Sequence, residues 1–119
     1  MSSLDDWNKA EPHILAALVN CGNTHAPSHV RRMIREGTAA LFVGEDSAIV
    51  TQEIDTPTGR LLHFWLAGGE LEELAEMSAS IEAAAKAKGI SRVSIVGRRG
   101  WQKALPGYHQ AGVILMKEI

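Results

Sequence analysis

The chain has 119 residues, 45% of them hydrophobic and 22% charged, which is the balance of an ordinary globular protein with a single core. Its net charge of -2 lacks the basic excess of a general nucleic-acid binder, and no apolar run is long enough to span a bilayer. Cys21 is the one cysteine and has no internal disulfide partner, and the acidic start Met1-Ser-Ser-Leu-Asp-Asp shows no secretory pattern, so a reducing compartment or a particle assembled in one is expected.

The stretch from Trp7 to Val19 sets Ile14, Leu15, Leu18 and Val19 at helical spacing, with Asp5 or Asp6 placed to cap its start. Pro12 belongs either in the first turn or at a break between a lead-in and the main helix. Pro27 and Ser28 open a second helix through Val30, Met33 and Ile34, which Gly37 ends. Thr38–Val43 and Ala48–Ile54 are rich in strand-favouring residues, and Gly44-Glu-Asp-Ser between them makes a hairpin turn. A second turn, Asp55-Thr-Pro-Thr-Gly59, leads into Arg60–Ala67. Within that run Leu61-Leu-His-Phe-Trp-Leu66 is apolar on both faces apart from His63, as a central strand should be. Gly68-Gly69 then turn the chain into a helix over Glu70–Lys88.

That helix carries the stripe Leu71, Leu74, Ser78, Ile81 and Ala85. Glu70, Glu72, Glu73 and Glu76 crowd its start and Lys86 and Lys88 its end, in the sense of the helix dipole. A crossover of this length to the apolar run Arg92–Val96 requires parallel pairing. A short helix from Trp101 and a last strand from Gly112-Val113 complete the chain. There is no repeat, linker or composition break, so residues 1–119 read as one domain.

The spacing Tyr108-x-x-x-Gly112-Val113, one strand from the end, resembles the Y-x-x-x-G-F ending of the GNAT N-acetyltransferase superfamily. The resemblance implies an α/β (α+β) fold: a GNAT-like mixed sheet of about five to six strands, with an antiparallel meander, one parallel βαβ crossover and flanking helices. The run Phe64-Trp-Leu-Ala-Gly-Gly-Glu-Leu-Glu-Glu-Leu74, together with Gly97-Arg-Arg-Gly-Trp101, is similar to short GNAT-like proteins encoded in tailed-phage virion-assembly regions.

Enzymes of the superfamily hold the pyrophosphate of coenzyme A on backbone N–H groups where the central helix begins, a place that favours an anion. By that resemblance Gly68 and Gly69 are the cofactor-binding candidates, and Tyr108 is the general acid that would reprotonate the departing thiolate. The family loop Arg/Gln-x-x-Gly-x-Gly/Ala is not matched, because its basic residue and full spacing are missing. Glu70, Glu72 and Glu73 stand there instead, and like charges a few ångströms apart repel by roughly 1 to 4 kcal/mol at a surface dielectric. No cofactor is therefore expected, acetyl-CoA belonging to the alternative of an active enzyme. In the plainer reading the glutamates cap the helix, and Tyr108 packs its ring on the sheet with its hydroxyl hydrogen-bonded.

Glu53 and His63, on neighbouring strands, are candidates for a general base, although a lone histidine in an apolar strand is more often a satisfied core residue. Cys21, His25 and His29 are zinc-ligand types, but Pro27 interrupts the helix that would align them and no fourth ligand is spaced nearby, so no metal is expected. Arg92, Arg98, Arg99 and Lys103 form a basic cluster. Arg98, Arg99 and Trp101 read as an interface or anion-binding patch, against the default of solvated arginines and an indole that is simply core.

These residues favour a non-catalytic GNAT-like phage protein, acting in virion assembly or as a virion component. Its partners would be other protein subunits, phage virion proteins among them, and not a membrane; its place would be the host cytoplasm or the virion. The first alternative is an acetyl-CoA-dependent N-acetyltransferase, and the second is a cytoplasmic domain that binds a small ligand.

Overall fold

A computed structural model describes residues 4–96, 101 and 105–119. Among them the element order is α1 (Leu4–Asn20), α2 (Pro27–Glu36), β1 (Ala40–Val43), β2 (Ser47–Thr56), β3 (Gly59–Gly69), α3 (Leu71–Ala87) and β4 (Arg92–Ile95). The strands form one sheet in the order β1-β2-β3-β4. The first two pairs are antiparallel and β3–β4 is parallel, with Leu61 opposite Arg92 and Phe64 opposite Ile95. The apolar run of β3 thus lies between two strands, as its lack of alternation requires.

The sheet is covered on both faces. On one, Trp7, Ala10, Ile14, Ala17 and Leu18 of α1 and Val30 of α2 pack on Ala48, Val50 and Leu66. On the other, Leu74, Ile81 and Ala85 of α3 pack on Ile49, Leu62 and Phe64, closed by Ile90 just before β4. Full burial of a Leu, Ile or Phe side chain contributes about 1.5 to 3 kcal/mol, so the stripe on α3 is what fastens the crossover to the sheet.

The structure departs from the sequence reading at three places. Helix α1 begins at Leu4, so Asp5 and Asp6 lie in its first turn instead of at a cap position ahead of it. It also runs unbroken through Pro12; Pro12 and Asn8 are both exposed, so water can satisfy the carbonyl that loses its helical partner. Gly68 and Gly69 are the last residues of β3, paired with Ala48 and Ser47, and do not form a loop ahead of the helix. Finally, the described residues give four strands and not five or six. Residues 108–119 have no regular secondary structure, because strand-forming composition produces a strand only where a ladder partner exists. No helix among the described residues is long and apolar enough to cross a membrane.

Candidate functional site

Strand β3 changes character at Trp65. Phe64 opposite Ile95 is its last pair with β4, followed only by a long contact of 3.5 Å from Val96 N to Phe64 O. At the same point the register with β2 shifts: Val50 faces Leu66 and Thr51 faces Phe64, so Trp65 is the extra residue of a β-bulge. A bulge re-aims the side chains beyond it. Leu62 and Phe64 accordingly join the α3-side core, whereas Leu66 joins the α1-side core. The Trp65 indole meets His25 edge to face, with ring centroids 4.8 Å apart. The Trp65 carbonyl has the Cys21 thiol 3.9 Å away as a weak donor. Past the bulge the β4-side edge of β3 has no strand beside it among the described residues. A ligand that hydrogen-bonds to backbone could lie along such an edge.

The start of α3, directly after this edge, is where an anion would sit. The amides of Glu70, Glu72 and Glu73 there are already engaged. The Glu70 carboxylate accepts from the amides of Glu72 (3.3 Å) and Glu73 (3.0 Å), acting as the helix N-cap. The Glu70 amide donates to Ser47 Oγ at 3.0 Å. The Ser47 hydroxyl in turn donates to the Glu70 carbonyl, 3.4 Å away. Glu73 turns back to the β1–β2 turn, where its two oxygens accept from Glu45 N (2.8 Å) and Asp46 N (2.9 Å). Ser47, then the amides of Asp46 and Glu45, and at longer range Lys9 hold this carboxylate below the ordinary glutamate range.

The two glycines have packing reasons. A Cβ on Gly69 would run into the backbone of Asp46 and Ser47, and its φ of 127° disfavours any other residue. A Cβ on Gly68 would meet the carbonyl oxygen of His13 on α1. Gly69 thus lets β2 approach and Gly68 lets α1 approach.

Between the sheet and α3 the described residues leave a small apolar crevice lined by Ile49, Phe64, Leu71, Leu74, Trp101 and Leu105, among others. Its free space of about 10 Å³ is roughly that of one water molecule. Ser78 is the polar side chain in the lining, and its hydroxyl is spent on the Ala75 carbonyl at 3.0 Å. Trp101 packs against the α3-side core and Leu105 is buried.

Tyr108 is half-buried, and its hydroxyl is buried with no hydrogen-bond partner among the described residues. Burial, and secondarily the charge of Glu82, push its pKa up to about 12. A phenol so disposed is a poorer proton donor than free tyrosine. Glu82 is about a dozen residues along α3 from its start, roughly 18 Å at 1.5 Å per residue.

Of the other candidates, Glu53 and His63 are separated from the start of α3. Arg98, Arg99 and Lys103 lie outside the described residues. Glu53 is held by Arg60 and Lys88, each at 3.2 Å, at the far end of the sheet. His63 lies on the opposite sheet face, where its Nδ1 is 2.8 Å from Ser94 Oγ and burial lowers its pKa. His29 Nδ1 accepts from Ala26 N at 2.9 Å, and His25 Nδ1 pairs with Thr24 Oγ1 at 2.8 Å. Among the described residues no three His, Cys, Asp or Glu side chains converge as metal ligands would. The bulge at Trp65 and the clamp made by Glu73 escape sequence reasoning. A run apolar on both faces shows no break in alternation to mark a bulge, whereas the acidic cluster at Glu70–Glu73 did mark the place of the clamp.

No protein-family model matches the chain, and no curated protein matches it in sequence. Solved structures do match in shape. One is the BH1408 protein of Bacillus halodurans, as a tetramutant, with a TM-score of 0.69 at 11% identity, covering 99% of this chain and 97% of that one. Another is the TTHA1254 protein of Thermus thermophilus, with a TM-score of 0.63 at 14% identity, covering 99% and 93%. A third is the aminoglycoside acetyltransferase meta-AAC0020 from an uncultured soil metagenomic sample, in complex with sisomicin, with a TM-score of 0.61 at 7% identity, covering 88% and 84%. At these identities the likeness concerns the fold: the chain has a GNAT-like acetyltransferase fold, with a mixed sheet and one parallel pair.

Proposed function

We propose that this is a non-catalytic member of the GNAT-like fold that does not bind acetyl-CoA and works by associating with other protein subunits. The observation that carries the reading is the double use of carboxylates at α3: Glu70 caps the amides of Glu72 and Glu73, and Glu73 clamps the β1–β2 turn. An entering pyrophosphate would have to displace the first and face the charge of both. The apolar crevice, with room for about one water, supports the same reading because it offers no channel for a pantetheine arm. Support for a role in virion assembly comes from the similarity of the Phe64–Leu74 and Gly97–Trp101 runs to phage proteins of this fold.

The direct test is calorimetric titration of the chain with acetyl-CoA and with coenzyme A, paired with thermal unfolding. No saturable heat and no rise in unfolding temperature are expected. A ligand that binds the native state would stabilise it by about 2.7 kcal/mol at a hundredfold its Kd, a shift that thermal unfolding reads easily.

The bulge at Trp65, with an unpaired edge beyond it, favours one second reading, an active N-acetyltransferase. Micromolar binding of acetyl-CoA would promote it. Tyr108→Phe would then decide the role of Tyr108, since loss of turnover with binding intact would make it the acid.

A further inference from the structure

Two parts of the molecule lack the partner that the other supplies. The outer edge of β4 carries no strand among the described residues. Beyond Tyr108, Gly112-Val-Ile-Leu-Met116 is an unbroken apolar run held in water: Val113, Ile114, Leu115 and Met116 are 67, 68, 90 and 61% exposed. Four consecutive apolar residues in solvent are costly unless a partner covers them. The run is as long as β4 and has the composition of a strand covered on both faces. A strand added beside β4 would extend a sheet that α1 covers on one face and α3 on the other.

The chain does not place its own run there. Leu105 is buried on the α3 side, while Met116 rests beside Gly22 at the α1–α2 turn, against the place where a Cβ of Gly22 would stand. The chain thus changes sheet face between these anchors, and no residue of the stretch pairs with β4.

We propose that residues 112–119 of a second copy of this chain add as a strand to the free edge of β4, and that the exchange is reciprocal, forming a two-fold dimer. Among the described residues a single chain leaves both the edge and the run unsatisfied, whereas a symmetric exchange satisfies both in each subunit. This names a surface for the subunit association proposed above. Its failure would leave the closed anion site at α3 untouched, because acetyl-CoA titration tests that site independently.

The experiment begins with sedimentation of the unaltered chain across a concentration series, where a species of twice the chain mass is expected to grow in. A chain ending at Ala111 should sediment at the single mass. In a Cys21→Ser background, chains carrying Ser94→Cys are refolded with differently tagged chains carrying Ile114→Cys, Leu115→Cys or Met116→Cys. At least one mixture should give a disulfide-linked pair of unlike chains on a non-reducing gel. If the shortened chain does not fold, this cross-link decides alone. A single mass for the unaltered chain throughout the series would overturn the proposal, as would a dimer that survives the truncation. The same holds if Ser94→Cys with a cysteine at 114, 115 or 116 in one chain links only within that chain.

Discussion

The start of α3 and the stretch beyond Tyr108 meet one requirement in opposite ways. At α3 the backbone donors of Glu70, Glu72 and Glu73 are satisfied from within the chain, by Ser47 and by the Glu70 carboxylate. Beyond Tyr108 an apolar run of strand composition stays exposed and unpaired. The first region sits where, by the family resemblance, an acetyltransferase would receive an anion, and here three of its amides are engaged within the chain. The second sits where the fold would continue its sheet, and in one chain it is incomplete. In the function proposed above, the chain binds at the edge of its sheet and not at the small-molecule end.

The comparison breaks most sharply at Gly69. Gly69→Val forces a Cβ into the Asp46–Ser47 backbone at a φ of 127°, and chemical denaturation should show a loss of about 2 to 4 kcal/mol or outright misfolding. If the variant is as stable as the parent, β2 does not press on Gly69 and the start of α3 is open to an anion.

Removing the helix cap is a smaller change. Glu70→Ala should cost about 1 kcal/mol, the usual value of a lost N-cap. It should also release the two amides it held, so a weak phosphate or coenzyme A affinity appearing in this variant would show that charge alone had closed the site.

Glu73→Gln sharpens the comparison through pH. The folded-state pKa of Glu73 is depressed, so its contribution is present above the unfolded-state value and is lost as pH falls through the folded one. The parent should therefore lose its advantage over the variant on acidification below the ordinary glutamate range. Unfolding temperatures that differ by the same amount at neutral and strongly acidic pH would show that the Glu73 clamp is not ionic.

Tyr108→Phe removes a buried hydroxyl that has no partner among the described residues, so stability at neutral pH should stay the same or rise by up to about 1 kcal/mol. The difference widens in alkali. With its folded pKa raised to about 12, Tyr108 contributes stability that is complete below the unfolded-state value near 10 and is lost as pH climbs towards 12. The parent should show this alkaline loss and the variant should lack it.

The smallest effect is expected at Leu115, which is 90% exposed. In the dilute monomer Leu115→Ser should change stability by less than about 0.5 kcal/mol, while self-association at higher concentration weakens. A clearly destabilised monomer would mean that the run is packed against its own chain.

Much of the fold was legible in the sequence because it rests on local signals. The hairpin followed from two β-rich runs around Gly44-Glu-Asp-Ser, α3 from its stripe of Leu71, Leu74, Ser78, Ile81 and Ala85, of which Leu71 alone is exposed, and the parallel β3–β4 pair from the length of the crossover. The acidic cluster at Glu70–Glu73 was legible as a cap on α3, because acidic residues at a helix start suit its dipole and free amides.

What only the tertiary structure decided depends on contacts between distant segments. Gly68 and Gly69 look alike in a loop motif, yet one is set by His13 and the other by Asp46 and Ser47, residues far away in the chain. The bulge at Trp65 depends on β2, whose register a uniformly apolar β3 cannot encode. The run after Gly112 has the composition of a strand, but a strand exists only where another strand offers its hydrogen bonds. Composition fixed the tendency of that run, and the geometry of the β4 edge decides whether one chain or two fulfil it.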